Sequence, residues 1–140
     1  CGRSGFSVFY SSADAVTEFL PAGGPPSVLT GNANDPAAKS IKNVLLGQVT
    51  ALALSVGFDF ADPDFGASTE NLGNMVIATG TFAGSNINDF LFLANTALGG
   101  CATGYSLSEL NQAATLINEN FDDGTTDRGF LVCPESRVER

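Results

Sequence analysis

Between Val44 and Phe58 the chain carries no charged side chain, and this run constrains the fold more than any other part of the sequence. Ile41, Val44, Leu45, Gln48, Val49, Leu52 and Val56 recur at spacings of three and four, with Leu46, Ala53 and Leu54 widening the stripe. That period is helical, and so broad an apolar surface needs cover on several sides. The run is shorter than the ~20 residues of a bilayer span, so it reads as a buried helix rather than a transmembrane segment. Asp35-Pro36 marks its start, because Asp accepts from orphan N–H groups and Pro at the first helical position has no N–H to lose. Gly57 marks its stop. Gly47 costs about 1 kcal/mol relative to Ala inside a helix, which fits a position where a neighbour comes close.

Around this helix, predicted over 36–56, the other elements are shorter. "FSVFYSS", residues 6–12, alternates apolar and small polar side chains and predicts a strand. "SADAVTEFL" predicts a short helix started by a serine and stopped by "PAGGPP". Val28 and Leu29 are apolar anchors in a polar loop, and 58–73 is a loop in which acidic and aromatic residues interleave. "NMVIATGTF", residues 74–82, supplies one buried strand. Ser85 or Asn86 then caps a helix ending at Gly99-Gly100, with Ile87, Phe90, Leu91, Ala94 and Leu98 on one face. Phe92 and Leu93 lie off that face and imply further cover. Ser106 with Glu109 forms a capping box ahead of Leu110, Ala113, Ala114, Ile117 and Phe121. "GFLVC", residues 129–133, reads as a final strand. The expectation is an α+β, mainly helical domain: about four helices around the central 36–56 helix, with one small sheet of about three short strands.

A chain of 140 residues is the usual size of one domain. We place it at 1–133, with 134–140 as an exposed tail or linker. Hydrophobic residues make up 44% and charged ones only 15%, too apolar for disorder and too sparsely charged for a cytosolic surface. Fifteen acidic against six basic residues give a net charge of -9, which repels phosphate backbones and excludes a nucleic-acid partner. Histidine is absent, which removes the commonest general base and the imidazole metal ligands, and argues against an enzyme.

Cys1, Cys101 and Cys133 match no metal or redox spacing. In an oxidising compartment one pair could bridge. Cys101 with Cys133 would tie the flanks of one helix, and Cys1 with Cys133, slightly preferred, would clamp the two ends of the domain. A lipidated Cys1, as at the start of a mature bacterial lipoprotein, is an alternative to a plain domain boundary.

"NENFDDGTTD", residues 118–127, is the densest acidic segment. An EF-hand-like loop starting at Asn118 would want Gly at its sixth place and Glu at its twelfth, where Asp123 and Gly129 stand. Helical period continues to Phe121 and puts Asn118 and Asn120 on different faces. Asp122, Asp123 and Asp127 remain free to converge, beside a helix C-terminus whose dipole favours a cation. Asp59, Asp62 and Asp64, just past Gly57, repeat the arrangement. Solvated turn residues are the simpler reading of both clusters, and Ca²⁺, the one cofactor considered, is the alternative. No acid pair stands out for glycoside hydrolysis, and Lys39 and Lys42 have no SxxK serine. Phe58, Phe60 and Phe65 either pin their loop to the core, the favoured reading, or form a contact patch.

"FLPAGGPPSVLT", "LLGQVTALALSVGFDF", "LGNMVIATGTFAG" and "YSLSELNQAATLINENFDDGTTDRGFLVC" together resemble an uncharacterised module of large secreted, adhesin-like surface proteins of Bacteroidetes and related bacteria. The resemblance covers most of residues 6–133. It implies extracellular, cell-surface placement and a structural or adhesive role, and it carries over no catalytic residue. The expected function is a non-catalytic structural module of an adhesin, sheath or self-assembling filament. Self-association or contact with neighbouring surface domains would run through the "FSVFY" or "GFLVC" strand edges. A calcium-assisted glycan- or surface-binding module is the alternative.

Overall fold

The computed structural model describes residues 5–62, 64, 70–121 and 126–134. In chain order the elements are β1 (Val8–Phe9), α1 (Ala13–Phe19), β2 (Ala33–Asn34), α2 (Val44–Ala61), a 3-10 turn (Leu72–Asn74), β3 (Val76–Ile77), α3 (Ile87–Leu98), α4 (Leu107–Glu119) and β4 (Leu131–Val132). The domain is α+β and mainly helical, as the periodicities predict. The single sheet of three strands is a correction. There are two separate two-stranded sheets, β1 parallel to β2 (Val8↔Ala33, Phe9↔Asn34) and β3 antiparallel to β4 (Val76↔Val132, Ile77↔Leu131).

Local chemistry sets the helix starts. Ser12, Asn43, Asn86 and Ser106 each accept an N–H of the first turn through a side-chain oxygen, and Ser106 with Glu109 completes the expected capping box. Helix α2 packs most extensively on α4 and next on α3. Leu45, Leu46, Val49 and Leu52 meet Ile87, Phe90, Ala94, Leu110, Ala114 and Ile117 in one buried core. Each fully buried Leu, Ile or Phe contributes about 1.5–3 kcal/mol of transfer free energy. Gly47 faces Ala22, and a Cβ built on it would stand 3.0 Å from the Ala22 Cβ, so the close approach expected there is present.

The central helix differs from its sequence reading at both ends. It starts at Val44, not at 36, because Asp35 adopts φ 45° and its carboxylate is engaged elsewhere, accepting from the backbone N–H and the hydroxyl of Ser11. Asn43 caps the helix instead. Its Oδ1 takes the Leu46 N–H and also the Ser27 N–H, while Nδ2 donates to the Ser27 carbonyl. At the other end the helix continues through Gly57 to Ala61. Burial stops earlier: beyond Leu52 no residue of α2 is fully buried. With 18 residues and a mean hydropathy of 1.6, α2 passes a length-and-composition test for crossing a membrane, and a third of that window is buried inside the domain.

Three aromatic expectations are corrected. Phe58 and Phe60 belong to the last turns of α2 rather than to a loop, and are 56% and 76% exposed; Phe65 lies outside the described residues. Phe92 is 75% exposed, so the outer side of α3 is uncovered there, and Phe121 at the end of the α4 stripe is also exposed. For Phe60 and Phe92 the residue type fits burial, but none of the described elements buries the ring.

Candidate functional site

The predicted acidic sites divide. Asp59 sits in the last turn of α2 and its Oδ2 accepts the Leu72 N–H, which ties the helix end to the 3-10 turn. Asp62 caps that end and its Oδ1 accepts the Asp64 N–H, a local Asx turn. Asp127 accepts from Asn120 Nδ2 at 3.0 Å and from the Gly129 N–H at 2.9 Å. Asp122 and Asp123 lie outside the described residues. Among the described residues no group of three His, Cys, Asp or Glu side chains is placed to hold a metal ion.

Cysteine pairing is corrected as well. Cys133 is a free, exposed thiol, so neither pairing that uses it is formed. Cys101 is disulfide-bonded, and Cys1 lies outside the described residues, as do residues 135–140 of the expected tail.

The described residues flanking 122–125 are organised by Asn120, which the sequence gives no reason to single out. Asn120 is fully buried. Its Oδ1 accepts from the backbone N–H groups of Phe130 (2.8 Å) and Leu131 (3.3 Å), its Nδ2 donates to Asp127, and its carbonyl accepts from Arg128. Asn118 donates to the Gln48 carbonyl and to Gln48 Oε1, holding α4 against α2. Asn120 with Asp127 is thus a structural clasp that sets the last strand.

A second feature was not visible in the sequence. A groove of about 680 Å³ runs between β1, α1 and α2, within the size range of ligand and peptide sites. Leu29, Leu46, Val49 and Leu98 are its buried apolar lining, Val16 and Leu54 flank it, and Phe6 and Phe58 are exposed at its margin. Hydroxyls of Ser7, Ser11, Ser12 and Thr50 supply the polar part, and no lining residue is charged. Tyr10 reaches in and shares a hydrogen bond with Thr50 Oγ1 at 3.3 Å. Burial raises the Tyr10 phenol above its ordinary value, and the Thr50 hydrogen bond partly offsets this. The groove could have been suspected only from an excess of apolar residues in α2 over what the core can hide.

Strand β1 lines the groove and pairs with β2, and Asp35, which follows β2, is tied to Ser11 beyond β1. Hydrogen bonds from the Ser11 hydroxyl, then from its backbone N–H, hold the exposed Asp35 carboxyl below the usual aspartate range.

A smaller trough of about 430 Å³ lies on the far side of α4, lined by Thr79, Thr81, Gln112, Arg128 and Phe130 among others. Its lining is mixed, with Phe82, Ala113 and Leu116 beside Glu109, Glu119 and Arg128, whereas the first groove has no charged residue. No family model, curated protein or solved structure matches this chain.

Proposed function

We propose that this chain is a non-catalytic, extracellular structural module of a surface adhesin, sheath or filament, and that it works by associating with copies of itself or with neighbouring surface domains. The observation that carries the reading is the uncharged groove beside α2, with Phe6 and Phe58 exposed at its margin. Uncharged apolar surface of that kind on a chain of net charge -9 suits a protein contact, because elsewhere the excess carboxylates repel a like-charged neighbour. The histidine-free composition supports the non-catalytic part, and the low charge supports placement outside the cell. Sedimentation velocity and electron microscopy of the purified chain, oxidised and with calcium present, test the reading. Concentration-dependent association is expected, and a strictly monomeric species up to millimolar concentration counts against it.

The trough on α4 favours one second reading, a glycan-binding module. Amide, hydroxyl and guanidinium groups beside an aromatic ring suit a sugar. A glycan array run with calcium and with EDTA separates the two, and an array without a bound sugar leaves the structural reading alone.

A further inference from the structure

Backbone hydrogen bonds along β1 and its flanks alternate in direction. Odd positions turn to the β2 side: the Ser7 and Phe9 carbonyls accept the N–H groups of Ala33 and Asp35, and the Ser7 and Ser11 N–H groups donate to the side chains of Asn32 and Asp35. Even positions turn the other way. The Phe6 N–H shows where, donating to the Gly99 carbonyl at 3.0 Å. By the same alternation the N–H and C=O groups of Val8 and Tyr10 point to the Gly99 side, and among the described residues no hydrogen bond is made to them there. Val8, Tyr10 and Gly99 all line the apolar groove, so the unused strand edge opens into it.

An unpaired strand edge beside apolar walls is a template for one more strand. We propose that the groove takes an extended, uncharged apolar segment of another polypeptide, which adds to β1 on the side opposite β2.

Backbone and charge select this occupant together. Val8 and Tyr10 are half-buried, and a compact apolar ligand would shut their backbone groups away from water without a partner, each at a cost comparable to a lost hydrogen bond. An extended backbone carries donors and acceptors at the same spacing of about 3.3 Å per residue and meets them in register. No lining residue of the groove is charged, so an ionised side chain entering it would lose water without gaining a counter-charge. Asp35, bonded to Ser11, belongs to the β2 side. Phe6 and Phe58, exposed at the margin, are left to cover apolar side chains of the incoming segment. The site rests on the association reading above and specifies its contact, a strand supplied by the neighbouring chain.

The test uses a blocked pentapeptide, acetyl-Val-Ser-Val-Ser-Val-amide, titrated into the isotope-labelled chain and followed by amide NMR. The Val8 and Tyr10 signals should shift, and exchange of their amides should slow at least about fivefold at saturation. Two isomers of the peptide, one N-methylated at its valine amides and one at its serine amides, probe the backbone directly. Only alternate residues of an added strand face β1, so one isomer should lose at least about tenfold in affinity and the other stay within about threefold of the parent. Isomers that bind alike, whether well or poorly, overturn strand addition. Val8→Pro removes the free donor while leaving the bonds to β2, and should weaken the parent peptide at least about tenfold. Ala53→Trp, at an exposed lining position on α2, narrows the groove and gives a second measure of the same order should Val8→Pro misfold; a peptide that neither folded variant weakens overturns the site. Absence of any shift at Val8 or Tyr10 at millimolar peptide overturns the strand site and leaves self-association, read separately by sedimentation, standing. Strand addition in a chain that sediments as a monomer supports the site and overturns self-association alone.

Discussion

Replacing Asn120 with Ala tests whether one buried amide sets the position of the C-terminal strand. The change removes the acceptor for two backbone N–H groups, those of Phe130 and Leu131, and the donor to Asp127. Leu131 is buried, so its amide has no water to turn to, whereas the half-buried Phe130 amide can be partly rehydrated. A buried donor left unsatisfied costs about 1–3 kcal/mol. With a smaller amount for the second amide and for the space the carboxamide leaves, the total comes to about 2–4 kcal/mol. For a domain whose whole stability is of order 5–15 kcal/mol this is a large fraction. In urea unfolding the midpoint should fall by roughly 1–2 M at unchanged slope. Hydrogen exchange at Leu131 and Val132 should speed up more than at Leu110 or Ile117 in α4. Asn118→Ala is the control, because its amide contacts Gln48 from a half-buried position, and it should cost less than about 1 kcal/mol. Asn120→Asp keeps the acceptor but places a buried carboxylate against Asp127. Its proton is then bound more tightly in the folded state than in the unfolded one, so that variant should lose stability as pH rises. An Asn120→Ala loss below about 0.5 kcal/mol, or one equal to that of Asn118→Ala, would refute the reasoning.

Asp35 should titrate below the ordinary aspartate range by carboxyl NMR, and Ser11→Ala should raise it. With the folded value depressed, its contribution to stability is present above the unfolded value of about 3.9 and is lost as pH falls through the folded one, and no response to Ser11→Ala would sink the assignment. Gly57→Ala should stabilise by roughly 0.5–1 kcal/mol, since the added methyl meets open space. Gly47→Ala should destabilise by about 1 kcal/mol despite the same propensity gain, because its methyl would press on Ala22; equal signs in thermal melts would show that packing at Gly47 is looser than described.

What could be read from the sequence was what is local. The α4 capping box and stripe lie within a few residues of one another, and both form, apart from Phe121. Asp35-Pro36 carried an equally local signal and misled, because the Asp35 carboxylate is claimed by Ser11, and a cap sixteen residues from its second partner, Asn43 to Ser27, starts the helix instead. The strands are only two residues long and pair segments far apart in the chain, so alternation could suggest their existence but not that they form two sheets. Phe60 shows the limit for surfaces. An apolar residue at helical spacing announces a face, and only the arrangement of neighbours tells whether anything covers it. Of the candidate site, the acidic composition of 118–127 is legible in the sequence and the role of Asn120 is not, since its partners stand ten and eleven residues downstream.

The Asn120 clasp also bears on the order in which the chain can assemble. Strands β3 and β4 are separated by roughly fifty residues, and closing a loop of that length for a two-residue ladder is entropically unfavourable. Once α4 has docked on α2, β4 hangs from Asn120 on a tether of eleven residues. Shortening the loop about fivefold lowers its closure cost by roughly 1.4 kcal/mol. The expected order therefore places the β3–β4 pairing after the docking of α4 on α2, with the last strand delivered by the helix before it.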